Sequence, residues 1–173
     1  GSAGRRRRRP AGRRGRPRLT VPVHEGGWAF EPGCRTATLA TLAPDGRPRL
    51  VPVCFVLDET TEGGDTRFYS PLDEKPKRAG DPRRLARVRD ILERPRVTLL
   101  FERWSEDWSQ LAWLRAHGTA ALLEPSDDPD VHRGVVAALR EKYPQYRGQR
   151  IDTTPLIRVE IDDTTAWSAA GEG

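Results

Sequence analysis

The sequence predicts a mainly β domain with flanking helices, in which six strands in largely antiparallel order form a small β-barrel. Three observations lead there. Thr36-Ala37-Thr38-Leu39-Ala40-Thr41-Leu42 alternates as a half-buried strand does, and Asp45-Gly46 then supplies the positive φ of a tight hairpin. Two helical stretches are each framed by prolines, Pro82 and Pro95 for one, Pro129 and Pro144 for the other. The remaining patterned segments read as strands. At 173 residues the chain suits one domain with a real core.

The charge divides the chain. Residues 1–18 hold nine arginines and no acid. Without those nine, 21 basic residues face 25 acidic ones, so residues 19–173 carry about −4 against +5 for the whole. The high pI therefore belongs to the tail, and nucleic acid would be held only non-specifically, through those arginines. Residues 1–33 read as a disordered Arg/Gly/Pro-rich tail and lead-in, and 34–170 as the folded domain. With no methionine in the sequence, Gly1 is not expected to be a native start. Cys34 and Cys54 are too few for a disulfide framework, and Cys54 reads as a small buried hydrophobe. The longest apolar run, Leu50 to Leu57, is far below spanning length, and no signal-peptide pattern opens the chain. A cytoplasmic protein without membrane contact is the expectation.

The elements follow in order. Thr36–Leu42 is the first strand, Arg47–Leu57 a longer second and Arg67–Ser70 a third. Asp81 can cap a helix over 82–93, whose apolar stripe is Leu85, Val88, Ile91 and Leu92. Arg96–Arg103 is a fourth strand, and Leu111–Leu123 a fifth that passes through Gly118. A second helix over 129–143 turns Val135, Val136 and Leu139 inward, and Leu156–Trp167 closes the set.

Several segments together carry a family likeness: ATLATLAPDGRPRLVPVCF, FYSPLDEKPKR, DPRRLARVRDILERPRVTLLFERW, EDWSQLAWLRAHGTA, KYPQYR and the closing WSA. Over roughly residues 35–170 the chain resembles the pyridoxamine 5'-phosphate oxidase-like (PPOX) split β-barrels that bind FMN or F420, and most of all actinobacterial F420-dependent oxidoreductases. The resemblance implies a six-stranded split barrel, a homodimer, and a flavin or deazaflavin site at the subunit interface. By position it puts Arg49, Leu50, Val51, Pro52 and Val53 along the cofactor, and Tyr69 and Ser70 near its ribityl chain. Lys75, Lys77 and Arg78 would take its phosphate, and Trp104, Trp108 and Trp113 are interface candidates. The implied activity is hydride transfer between coenzyme F420, alternatively FMN, and a small organic substrate. A cofactor-binding module without turnover is the other alternative. Two features depart from the family pattern. Cys54 stands where pyridoxamine phosphate oxidases carry a lysine five residues after the strand arginine, which argues against pyridoxamine phosphate as substrate. A Gly/Pro-rich stretch also stands where members usually open with an amphipathic helix.

Lys75-Pro76-Lys77 has its own physical logic. Proline fixes its own φ and restricts the residue before it, so the turn is pre-ordered and an extended i, i+2 spacing can send both ammonium groups to one side. Asp73 and Glu74 could equally pair with them at the surface. His24, His117 and His132 have no zinc-like spacing, and no nucleophile motif, dinucleotide loop or P-loop is present. Hydride transfer needs none of these, because the cofactor brings the chemistry. No catalytic residue is assigned.

Overall fold

In the computed structural model, residues 33–58, 66–72 and 80–170 are described. The alternating segment forms β1 (Ala37–Leu42), and Gly46 at φ 82° turns the chain into β2 (Pro48–Val53). The long second strand expected over Arg47–Leu57 is in fact two, because β3 (Val56–Asp58) follows after a break at Cys54-Phe55. Hence there are seven strands rather than six among the described residues. Then come β4 (Arg67–Pro71), α1 (Ala86–Glu93), β5 (Arg96–Arg103), β6 (Ala112–Leu123), α2 (Pro129–Lys142) and β7 (Leu156–Ser168).

All seven strands form one antiparallel sheet in the order β2-β1-β5-β6-β7-β4-β3. Its two edge strands are consecutive in the chain. Three residue steps separate Val53 from Val56, so the edges lie within about 11 Å of one another there. The sheet must therefore curl into a barrel, the half-open form of a split barrel. The break has a side-chain cause. Phe55 turns inward, its ring 5.4 Å from Phe68 and 5.1 Å from Phe101, centroid to centroid. Its backbone bonds to a tyrosine instead of a strand: the Phe55 N–H donates to the Tyr143 hydroxyl at 3.0 Å.

One core fills the barrel, built on Leu39, Phe55, Phe68, Leu99 and Phe101, with Val88 and Ile91 of α1 set against it. A second lies outside, where Val136, Leu139 and Tyr146 of the α2 region cover Val56, Tyr69 and Leu156. The first helix starts later than expected and ends at Glu93, as expected. Asp81 accepts from Arg83 N at 3.0 Å and starts a 3-10 turn (Pro82–Arg84), and Leu85 is extended before α1 begins, which lets it pack on the barrel core. Leu92, read as part of the stripe, is 66 % exposed. For α2, Asp128 caps by accepting from Val131 N at 3.1 Å, and buried His132 donates from Nε2 to the Thr154 carbonyl at 2.9 Å.

Gly118 marks where β6 and β7 change register, leaving Asp162 as an extra residue between the His117–Asp163 and Gly118–Ile161 pairs. A Cβ here would stand 2.3 Å from the Glu160 carbonyl oxygen, so only glycine fits. Beyond it, the far part of β7 pairs with β6 alone among the described residues and is largely exposed. Among the described residues no helix is long and apolar enough to cross a membrane.

Candidate functional site

On the outward face of β1, β2, β5 and β6, strand alternation sets small side chains side by side. Thr38, Ala40 and Thr98 make the floor of a cleft of about 400 Å³, with Leu100 beside them. Leu50 on β2 and Trp113 on β6 form the walls, and Glu102 and Arg115 bring charge to it. The Arg115 guanidinium lies 5.8 Å from the Trp113 ring centre. Thr98 Oγ1 shares a 2.9 Å hydrogen bond with His117 Nδ1, which fixes that ring beside the floor. The volume lies within the range of small-ligand sites.

The cleft is bounded by the edge of β2, which is unpaired on its outer side among the described residues. An edge strand accepts proline where the missing N–H would have faced away from its neighbour. Pro48 and Pro52 are such residues, and Leu50, two positions from each, turns its backbone the same way. Leu50 N–H and the carbonyls of Pro48, Leu50 and Pro52 are thus the edge's hydrogen-bonding groups.

The residues singled out in the sequence lie in several places. Along β2, Leu50 and Pro52 face outward, whereas Val51 and Val53 pack on the barrel core. Arg49 shares their side and reaches the mouth of the barrel, where α1 covers it. Its Nε donates to Asp90 Oδ2 at 2.8 Å, and Thr41 Oγ1 donates to the same oxygen at 2.8 Å. Burial alone would raise the Asp90 carboxyl; the bonds from Arg49 and Thr41 outweigh it and hold the group below the ordinary carboxylate range. Tyr69 and Ser70 project to opposite faces of β4, Tyr69 into the core under α2. Burial raises the Tyr69 phenol above its ordinary value. Both hydroxyls are buried without a hydrogen-bond partner among the described residues, which leaves them able to receive one. Lys75, Lys77 and Arg78 lie outside the described residues, between Leu72 and Gly80. Of the interface candidates, Trp104 and Trp108 are 73 % and 72 % exposed, while Trp113 is half-buried in the cleft wall and directly opposite Trp167 on β7.

Sequence reasoning missed the cleft floor and Asp90. The floor had a weak signal, since Thr36, Thr38 and Ala40, on one side of the alternation, are all small. Asp90 was a carboxylate set inside an apolar helical stripe. Among the described residues no group of three or more His, Cys, Asp or Glu could hold a metal ion.

Residues 28–168 match the profile of the pyridoxamine 5'-phosphate oxidase family. The chain belongs to that family. Among solved structures, this family member is similar to a conserved hypothetical protein, Rv2991, of Mycobacterium tuberculosis, with TM-score 0.58, 21 % identity and 81 % of each chain covered. It is also similar to the heme storage protein HutZ of Vibrio cholerae, with TM-score 0.55, 17 % identity, and 82 % of this chain and 95 % of that one covered. An FAD-binding protein of Mesorhizobium loti matches with TM-score 0.54 and 15 % identity, over 78 % of this chain and 86 % of that one. These likenesses establish the shared fold. Among curated proteins none matches significantly.

Proposed function

We propose that this family member is an oxidoreductase that passes a hydride between coenzyme F420 and a small organic acceptor, with FMN as the alternative cofactor, and that it works as a homodimer. The observation that carries the reading is the outward cleft: a flat floor of small side chains beside an exposed strand edge. Such a shape suits a planar ring system that backbone groups can address. The residues present fit the cofactor in further ways. Arg49 has terminal amines without a partner among the described residues, and the Ser70 hydroxyl has none there either. When bound, the reduced ring would supply the hydride. The chain's part is to bind and orient. Leu50 N–H and the neighbouring carbonyls would fix the ring's edge, Leu50 and Trp113 would keep water from its face, and Arg49 with Lys75, Lys77 and Arg78 would hold its phosphoryl end. A second copy of the chain would roof the cleft, and exposed Trp104, Trp108 and Trp167 are suited to that contact.

The test is a titration of purified protein with F420 and with FMN, followed by ring fluorescence, together with sedimentation at micromolar concentration. F420 is expected to bind more tightly, since its glutamyl extension adds carboxylates for nearby arginines, and affinity should fall with salt. Lys77→Ala should weaken binding by about 1–3 kcal/mol, roughly ten- to a hundredfold. Salt-independent binding that Lys77→Ala leaves unchanged would overturn the phosphoryl site, and a monomer would overturn the dimer. Tight binding without oxidation of the reduced cofactor by any acceptor would leave a module without turnover.

A further inference from the structure

Asp90 is an unusual residue for the inner face of a short helix, its side chain only 2 % exposed. It stands between Val88 and Ile91, both fully buried against the barrel, so its carboxylate cannot follow a moving partner. Thr41 of β1 anchors the same carboxylate from below. A guanidinium that only neutralises a buried acid commonly gives a fork of two parallel N–H bonds to the two oxygens. Arg49 instead donates Nε to one oxygen, the one Thr41 also occupies. Its two terminal amines find no partner among the described residues, and its side chain is 38 % exposed.

We propose that Asp90 is a positioning residue for Arg49. It holds the guanidinium by Nε and turns the terminal amines outward at the barrel mouth, as a preformed grip for a phosphoryl oxyanion. This rests on the cofactor reading above, and it names the residue that acts on the ligand only through another. An unanchored arginine would have to surrender its side-chain freedom on binding; here that ordering is complete beforehand.

The experiment is a cycle of Asp90→Asn, Arg49→Gln and the double variant, each titrated with F420 and FMN and unfolded in urea. Asparagine keeps the shape and the Thr41 bond but loses the charge that fixes Arg49. Asp90→Asn is expected to weaken cofactor binding about tenfold, and Arg49→Gln ten- to a hundredfold. The double variant should bind no more weakly than Arg49→Gln alone. In the cofactor-free parent, the Arg49 Nε–H proton should exchange slowly with water, and Asp90→Asn should abolish that protection. If Asp90→Asn does not fold, Arg49→Lys carries the test, since it keeps charge without Nε; affinity equal to the parent's would overturn the proposal. A lowered urea midpoint with unchanged affinity, or equal losses in both backgrounds, would overturn it too. A parent that binds neither cofactor would instead remove the functional reading on which it stands.

Discussion

Helices α1 and α2 each press polar side chains against the barrel, but they address different groups. From α2 and its C-cap, His132 and Tyr143 bond to backbone: His132 to the Thr154 carbonyl, Tyr143 to Phe55 and Arg35. The Tyr143 hydroxyl accepts the Phe55 N–H, and its single proton is shared between the Phe55 and Arg35 carbonyls, each 2.9 Å away. That arrangement closes on itself and leaves little for a ligand. From α1, Asp90 bonds to side chains, and one of them, Arg49, retains donors. A helix that satisfies backbone acts as scaffold, whereas one that orients a charged side chain can organise a site. The two should separate in experiment.

The largest expected effects are in the two cores. Ile91→Ala and Leu139→Ala each empty a fully buried position and should cost about 2–5 kcal/mol in urea unfolding. They should part in titration. Ile91→Ala should also weaken F420 or FMN binding by the folded protein, because α1 carries Asp90; Leu139→Ala should not. Equal effects on binding would erase the distinction between the helices.

Tyr143→Phe comes next. It leaves the buried Phe55 N–H without its acceptor and should cost about 1–3 kcal/mol, with cofactor affinity unchanged. A drop in affinity would mean that α2 reaches the site after all.

The smallest effect sharpens the comparison through pH. Lys142 ends α2 with Nζ 3.8 Å from the Phe55 ring centre and 3.1 Å from the Phe55 carbonyl oxygen. Burial pushes its pKa down from 10.5 to about 8. The unfolded chain therefore binds more protons between about pH 8 and 10.5, so stability rises with pH across that window and the deficit is full below it. Lys142→Met should melt above the parent at pH 7, and the gap should narrow by pH 10.5. A gap independent of pH would show that the ammonium is well solvated.

Most element ends were legible because they are written in local chemistry. Pro82, Pro129 and Pro144 work through a fixed φ and a missing N–H, and Asp45-Gly46 through an allowed positive φ, none of which needs a distant partner. The break at Cys54-Phe55 was not legible. Leu50 to Leu57 reads as one apolar run, and its interruption depends on Tyr143, 88 residues away. Leu92 failed for a related reason: α1 has eight residues and meets the barrel along a strip too narrow to cover it. The cleft combines side chains of four strands, and Arg49 finds Asp90 across 41 positions, so neither has a signature within any short window. The family likeness pointed to β2 as a site strand; the split of its side chains between two faces follows from pleating and is visible only once the strand's partners are known.

The Tyr143 contact also bears on how the molecule assembles in time. Its hydroxyl joins residues separated by 88 and 108 positions, and the corner it secures is where the two sheet edges meet. The β1–β2 hairpin can form as soon as it leaves the ribosome, whereas that corner must wait until α2 has been synthesised. During that interval the prolines of β2 withhold donors from its open edge and so blunt it against pairing with another nascent chain. Closure of that corner is thus expected to follow formation of the β1–β2 hairpin, since contacts of such long sequence separation form slowly.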